Sequence, residues 1–291
     1  MFERTVVNVG GKALEAWSEA SLLSRVLTTT GCVLGAAWAW GICAMAGLPA
    51  MPGYDASLFF QPAPVIAIFA VAVVVLGATF LGSAVAGRVR FEAGLLSAAV
   101  ALMVMSSWFG TMRVAVTSVA SPMSLLNLAI ETTLLFIFLL AGVALIRALR
   151  ATGLVRPSDA SQTRESSSSH NNLFATFTHV VVMIVLMQIL MATDQKAQAI
   201  FSVGGSSLVA GIAAQWLFPT RRVFFLWIAP LIVAWIGYLF ESISPSGSWQ
   251  IGVISQPLAR AIPLDYAGAG VAGAILAFWS TDESGEPSTS A

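Results

Sequence analysis

Apolar residues in this 291-residue chain run on in blocks of about 20, the length a helix needs to cross a hydrocarbon core of ~30 Å. The blocks fall near residues 26–47, 63–86, 93–110, 123–147, 173–193, 197–218, 222–241 and 262–279. Inside a bilayer a spanning segment must satisfy its own backbone, which a helix does without a neighbour. The pattern therefore predicts an all-α fold, a polytopic transmembrane helix bundle of seven or eight spans. The eighth is the weakest, because it is short and follows Pro257 and Pro263.

Between and around the blocks the pattern changes. Over residues 1–25, Ala13, Trp17, Ala20 and the following Leu27 share one helical face, while Lys12, Glu15 and Glu19 share the other. This predicts an amphipathic N-terminal helix lying in the headgroup plane. Residues 151–172 contain PSDASQTRESSSSHNN, which reads as a flexible cytoplasmic linker, and 281–291 as a disordered tail. The linker separates a first membrane half, 26–150, from a second, 173–280, with four spans each.

Composition narrows the picture further. Hydrophobic residues make up 57% of the chain and charged ones 10%. Soluble domains carry about 25% charged residues, so a solvated surface cannot be built here. The net charge is zero, which gives no reason to expect a nucleic-acid partner. Placement of the basic residues sets orientation, since Lys and Arg favour short cytoplasmic loops. With the N-terminus inside, the cytoplasmic segments hold Arg4, Lys12, Arg25, Arg88, Arg90, Arg147, Arg150, Arg156, Arg164, Arg221 and Arg222, and the outer ones only Arg113, Lys196 and Arg260. The expectation is a chain with both termini inside, in a bacterial cytoplasmic membrane. Its partners would be the lipid bilayer and, with it, other membrane subunits or further copies of itself. The polar first 25 residues, with Glu3, Glu15 and Glu19, do not resemble a cleavable signal peptide.

Several common chemistries find no support. Cys32 and Cys43 lie eleven residues apart, about 16 Å along one helix, beyond disulfide reach. The run Gly268-Ala269-Gly270-Val271-Ala272-Gly273 fits GxGxxG, but it lies inside an apolar block without the strand and downstream acid of a dinucleotide site. Small residues one turn apart instead let membrane helices approach closely, a reading that covers Gly268, Gly270, Gly273, Gly31 and Gly35. Two histidines, His170 and His179, do not make a metal site, and no cofactor is expected. Met183, Met187 and Met191 form a stripe suited to packing. There is no nucleophile elbow and no Walker A loop.

What remains are ionisable and amide groups within or beside the apolar blocks, which mark functional candidates because a charge in lipid is costly. Glu131 shares a helix face with Asn127, and Arg113 on the same outer side is a natural partner. The carboxyl would serve either as a proton carrier or as half of a structural ion pair. Asp265 follows Pro263 and suits a helix cap as well as a site. His179, beside Thr176 and Thr178, is either a titrating group or a hydrogen-bonded packing residue. Asp194 and Lys196 read as a solvated turn between the fifth and sixth blocks.

Three classes of function stay open. A small-solute transporter would place its site between the halves, along Glu131, Asn127, Arg113 and Asp265. A non-catalytic subunit or scaffold of a membrane complex would use the small-residue faces for docking. An intramembrane enzyme is the weakest, because no acid, base and nucleophile set assembles.

Overall fold

The computed structural model describes residues 3–49, 57–90, 92–114, 122–154, 169–193, 195–243 and 254–282. Within them, side chains before Leu22, those of 122–124 and those of Ser169 and Asp282 lie outside the description. The described residues contain helices and turns and no strand. In chain order the helices are α1 (Glu3–Ala46), α2 (Pro64–Ala86), α3 (Ala93–Trp108), α4 (Pro122–Ala151), α5 (Ser169–Leu190) and α6 (Lys196–Leu217). α7 runs over Phe224–Ser242 with an interruption at Ile228. A 3₁₀ turn at Pro257–Arg260 then leads into a final helical run of three pieces: Pro263–Asp265, a π turn at Tyr266–Gly270, and α8 (Val271–Asp282).

Among the described residues, six helices are long and apolar enough to cross a membrane: Leu22–Ala46 within α1, then α2, Leu125–Ala151 within α4, His170–Leu190 within α5, α6 and α7. The other two expected spans differ. α3 has 16 residues, about 24 Å of helix, and the last run is divided by its π turn. At the N-terminus, Glu3 to Ala46 is one helix with no break near residue 25. The side chains that would make its first part amphipathic lie outside the described residues. Helix also takes both ends of the expected linker, and residues 155–168 and 283–291 are outside the description.

Local chemistry explains the boundaries. α1 stops at Gly47, whose φ of 63° suits a residue without Cβ. The Leu48 N–H reaches back to Cys43 O at 2.9 Å and the Gly47 N–H to Ala44 O at 3.3 Å, the two bonds of a Schellman end. Pro64 and Pro263 stand in first turns, where a missing N–H costs nothing. In α7, Pro230 cannot donate to Leu226, and the helix breaks just before it.

One continuous apolar core runs from Ala39 in α1 to Phe278 in α8. α1, α2 and α3 pack as a trio, α6 packs against both α5 and α8, and α4 packs most extensively on α7. Small residues set the spacing within the trio. A Cβ on Gly31 would sit 3.3 Å from Gly82 Cα, and one on Gly82 would sit 3.1 Å from Gly94 Cα. A Cβ on Gly35 would collide with Ser97, whose hydroxyl donates to Gly31 O at 2.8 Å. Such interhelical bonds average about 0.6 kcal/mol in lipid, so close van der Waals contact carries most of the association. The outer surface is as apolar as the interior: Val65, Phe69, Ile189, Phe201 and Trp216 are all exposed.

Candidate functional site

The polar groups inside the bundle gather around the chain entering the last helix. Pro263 starts a helical turn, and the Asp265 side chain reaches back so that its Oδ2 accepts the Ile262 N–H at 3.0 Å. This is the acidic half of an N-terminal capping arrangement. The other carboxylate oxygen, Oδ1, accepts Lys196 Nζ at 2.8 Å and the Ser106 hydroxyl. Asp265 is buried, and it thereby joins α3, α6 and the last helical run in one ion-paired cluster.

Beyond Asp265 the π turn widens the helix and shifts the phase of its hydrogen-bond ladder. The Gly270 carbonyl accepts the Ser207 hydroxyl of α6 at 2.7 Å. His179 Nε2 lies 3.2 Å from the same Ser207 oxygen. Because the Ser207 proton is directed at Gly270, the imidazole must donate from Nε2, which leaves Nδ1 an acceptor. That buried Nδ1 has no partner among the described residues. π turns recur at functional sites, and here one is linked through Ser207 to a buried histidine.

The approach to this run, residues 254–262, is fastened from several sides. Glu241, at the end of α7 and buried, accepts Ser255 N at 3.1 Å, Ser255 Oγ at 2.8 Å and Gln256 N at 2.9 Å. Tyr238 Oη donates to Ala261 O at 2.7 Å, and Tyr266 Oη donates to Leu258 O. The two tyrosine rings meet edge to face at 6.4 Å. Arg260 donates to Met191 O at 2.9 Å, to Ala192 O at 3.0 Å and to Ile254 O at 3.3 Å, satisfying carbonyls freed at the end of α5.

Glu131 lies on α4, buried, and its Oε2 accepts the Ser57 hydroxyl and the Leu58 N–H at 3.0 Å. Its Oε1 is buried without a hydrogen-bond partner among the described residues. Asn127, one turn earlier, is half-buried, whereas Arg113 is exposed. The structure thus gives Oε2 of Glu131 two donors from the segment before α2. The turn at Pro263–Asp265 packs on α3 and α4.

The candidate glycines lie at close approaches. A Cβ on Gly268 would be 2.5 Å from Met103 N, and one on Gly270 would be 2.7 Å from Pro230 Cβ. At Gly273 it would overlap the Gly204 carbonyl. Met183, Met187 and Met191 are buried, and Tyr266 Oη contacts Met187 Sδ at 3.6 Å.

Two participants were hidden from sequence reasoning. Lys196 is not a solvated turn residue but the cation of the buried pair; Asp194 lies outside the described residues. Glu241 carried no motif, although an acid at the end of an apolar block was itself a signal. Among the described residues, no group of three or more His, Cys, Asp or Glu is placed to hold a metal ion.

Neither a protein-family model, nor a curated protein, nor a solved structure matches this chain. The class is therefore defined by the fold and site: an all-helical bundle with six membrane-length apolar helices, consistent with a multipass integral membrane protein.

Proposed function

We propose that the chain is a small-solute transporter of the cytoplasmic membrane, with eight spans and both termini inside. The observation that carries this reading is the pairing of half-buried Lys196 with the buried Asp265 carboxylate at the head of a discontinuous helix. Discontinuous helices in the membrane mark binding sites in many transporter folds, and ionisable groups there mark solute or proton paths. The path would run past Asp265, Lys196 and Glu131, with His179 deeper in the bundle.

Contacts between helix ends support the grouping of these segments on two sides; which side is inside rests on the distribution of basic residues. Arg90 stacks on Trp279 and Asn172 accepts from Thr220, joining segments expected inside. Arg260 binds Met191 and Ser57 binds Glu131, joining segments expected outside.

The test is flux in vesicles reconstituted with the purified full chain. Amino acids, sugars and organic acids are supplied in turn as gradients, and an entrapped pH dye records proton movement. Flux with at least one class is expected, reduced tenfold or more by Asp265→Asn or Glu131→Gln. Wild-type flux in both variants would remove these residues from the path.

A second reading, a non-catalytic membrane subunit, draws on the way Glu241 spends its oxygens on backbone and hydroxyl donors of one loop. Absence of flux for every class tried, together with a stable complex recovered from native membranes, would favour it.

A further inference from the structure

A cleft of about 790 Å³ lies between α1 and α6, with α3 and the last helical run forming its floor and its mouth at the end of the bundle opposite Asp265. Its deep walls are apolar: Leu96, Val100 and Met103 of α3, Ile200, Phe201 and Leu208 of α6, and Ala272 and Leu276 beside α6. Its mouth is cationic and polar. Arg25 is exposed there, and Arg90 stacks its guanidinium 4.7 Å from the Trp279 ring centroid. Trp279 Nε1 in turn donates to Glu92 at 3.4 Å. Thr28 Oγ1, in the cleft wall, is buried without a hydrogen-bond partner among the described residues.

We infer that this cleft holds one anionic phospholipid of the cytoplasmic leaflet, with its phosphate at Arg25 and Arg90 and an acyl chain along the apolar walls. Three features specify that occupant. The cleft is amphiphilic in one direction only, cationic at one end and apolar beyond. Its lining on the last helical run extends from Ala269 to Ser280, about 17 Å of helix, close to the ~15 Å depth of one leaflet. Basic pockets between spans on the cytoplasmic side complement anionic headgroups, whereas a zwitterionic lipid gains little there. The inference does not need the transport site, since none of Glu131, Asp265 and Lys196 lines the cleft, but its leaflet rests on the orientation proposed above.

Gly205 provides a clean probe. It lines the cleft, and a Cβ built there meets only Phe201 Cζ at 3.9 Å, so a larger side chain enters open space. The experiment incubates the full chain, purified in mild detergent, with phosphatidylglycerol and phosphatidylcholine of identical acyl chains, and counts retained lipids by native mass spectrometry. One phosphatidylglycerol should be retained over phosphatidylcholine by roughly tenfold. Arg25→Gln with Arg90→Gln should reduce that preference to about twofold or less. Gly205→Leu should abolish retention of both lipids without lowering the unfolding temperature. Equal retention of the two lipids by the wild type overturns the proposal, as does full retention by Gly205→Leu. A dimer that Gly205→Leu disperses, with lipid adducts unchanged, would assign the cleft to a second copy instead and overturn it too.

Discussion

Asp265 gathers an ammonium, a hydroxyl and a backbone amide on a carboxylate that water does not reach. Burying such a pair is close to neutral overall, but removing one member strands the other charge, at about 3–5 kcal/mol. Asp265→Leu should therefore lower thermal stability in detergent sharply. Adding Lys196→Met should recover most of the loss, but not all, because the Ile262 amide stays unpaired. Glu241→Gln is milder: its amide turns a donor toward Ser255 or Gln256, which also donate, and should cost about 1–3 kcal/mol. These residues show what a chain discloses at this scale. Asp265 and Glu131 stood out because each is an acid beside or within an apolar run. Lys196 and Glu241 did not, since their partners are set by which helices become neighbours. A lysine beside a turn looks the same in sequence whether it meets water or a carboxylate 69 residues further on.

At the scale of elements, glycines divide by what lies above the missing Cβ. Gly273 faces the Gly204 carbonyl and Gly268 faces the Met103 backbone, neither of which can swing aside. Gly273→Leu or Gly268→Val should each cost at least about 1–3 kcal/mol, seen as a lowered unfolding temperature. Gly205, on the same α6 face as the cleft, should accept Leu without loss. The sequence carried the small-residue pattern of these helices but not their pairing. It also marked Pro263 as a break without disclosing the π turn, because Tyr266–Gly270 contains nothing that an ordinary helix of small residues lacks. The short α3 was legible as an apolar block; its end at Trp108 was not, since the apolar character continues past it.

For the whole molecule, hydropathy told interior from outer surface poorly, because both are equally apolar. What sorts them is residue size: alanine, glycine and serine line the contacts of α2 and α3, while Phe69, Phe80 and Phe201 point outward. Orientation is testable on this scale. In a variant with Cys32 and Cys43 replaced by Ser, single cysteines at Thr152 and Thr193 both occupy exposed sites at opposite ends of the bundle. A membrane-impermeant maleimide added to intact cells should label Thr193→Cys and spare Thr152→Cys. The reverse pattern would invert the topology, and with it the leaflet assigned to the Arg25–Arg90 cleft.

The π turn also has a consequence for chain length. A turn of this kind holds one more residue than an α-helical turn, so it behaves as an insertion that the bundle has absorbed. Deleting Ala269 would let the run from Pro263 to Asp282 close into an unbroken α-helix. Because the deletion removes only the surplus residue, the faces on either side would keep nearly their present register. α8 would keep its packing on α6 and Asp265 its contact with Lys196, whereas straightening the turn with all its residues retained would rotate one side by about 100° and break one of the two. One surplus residue thus reconciles two helix faces that a regular helix would set out of register.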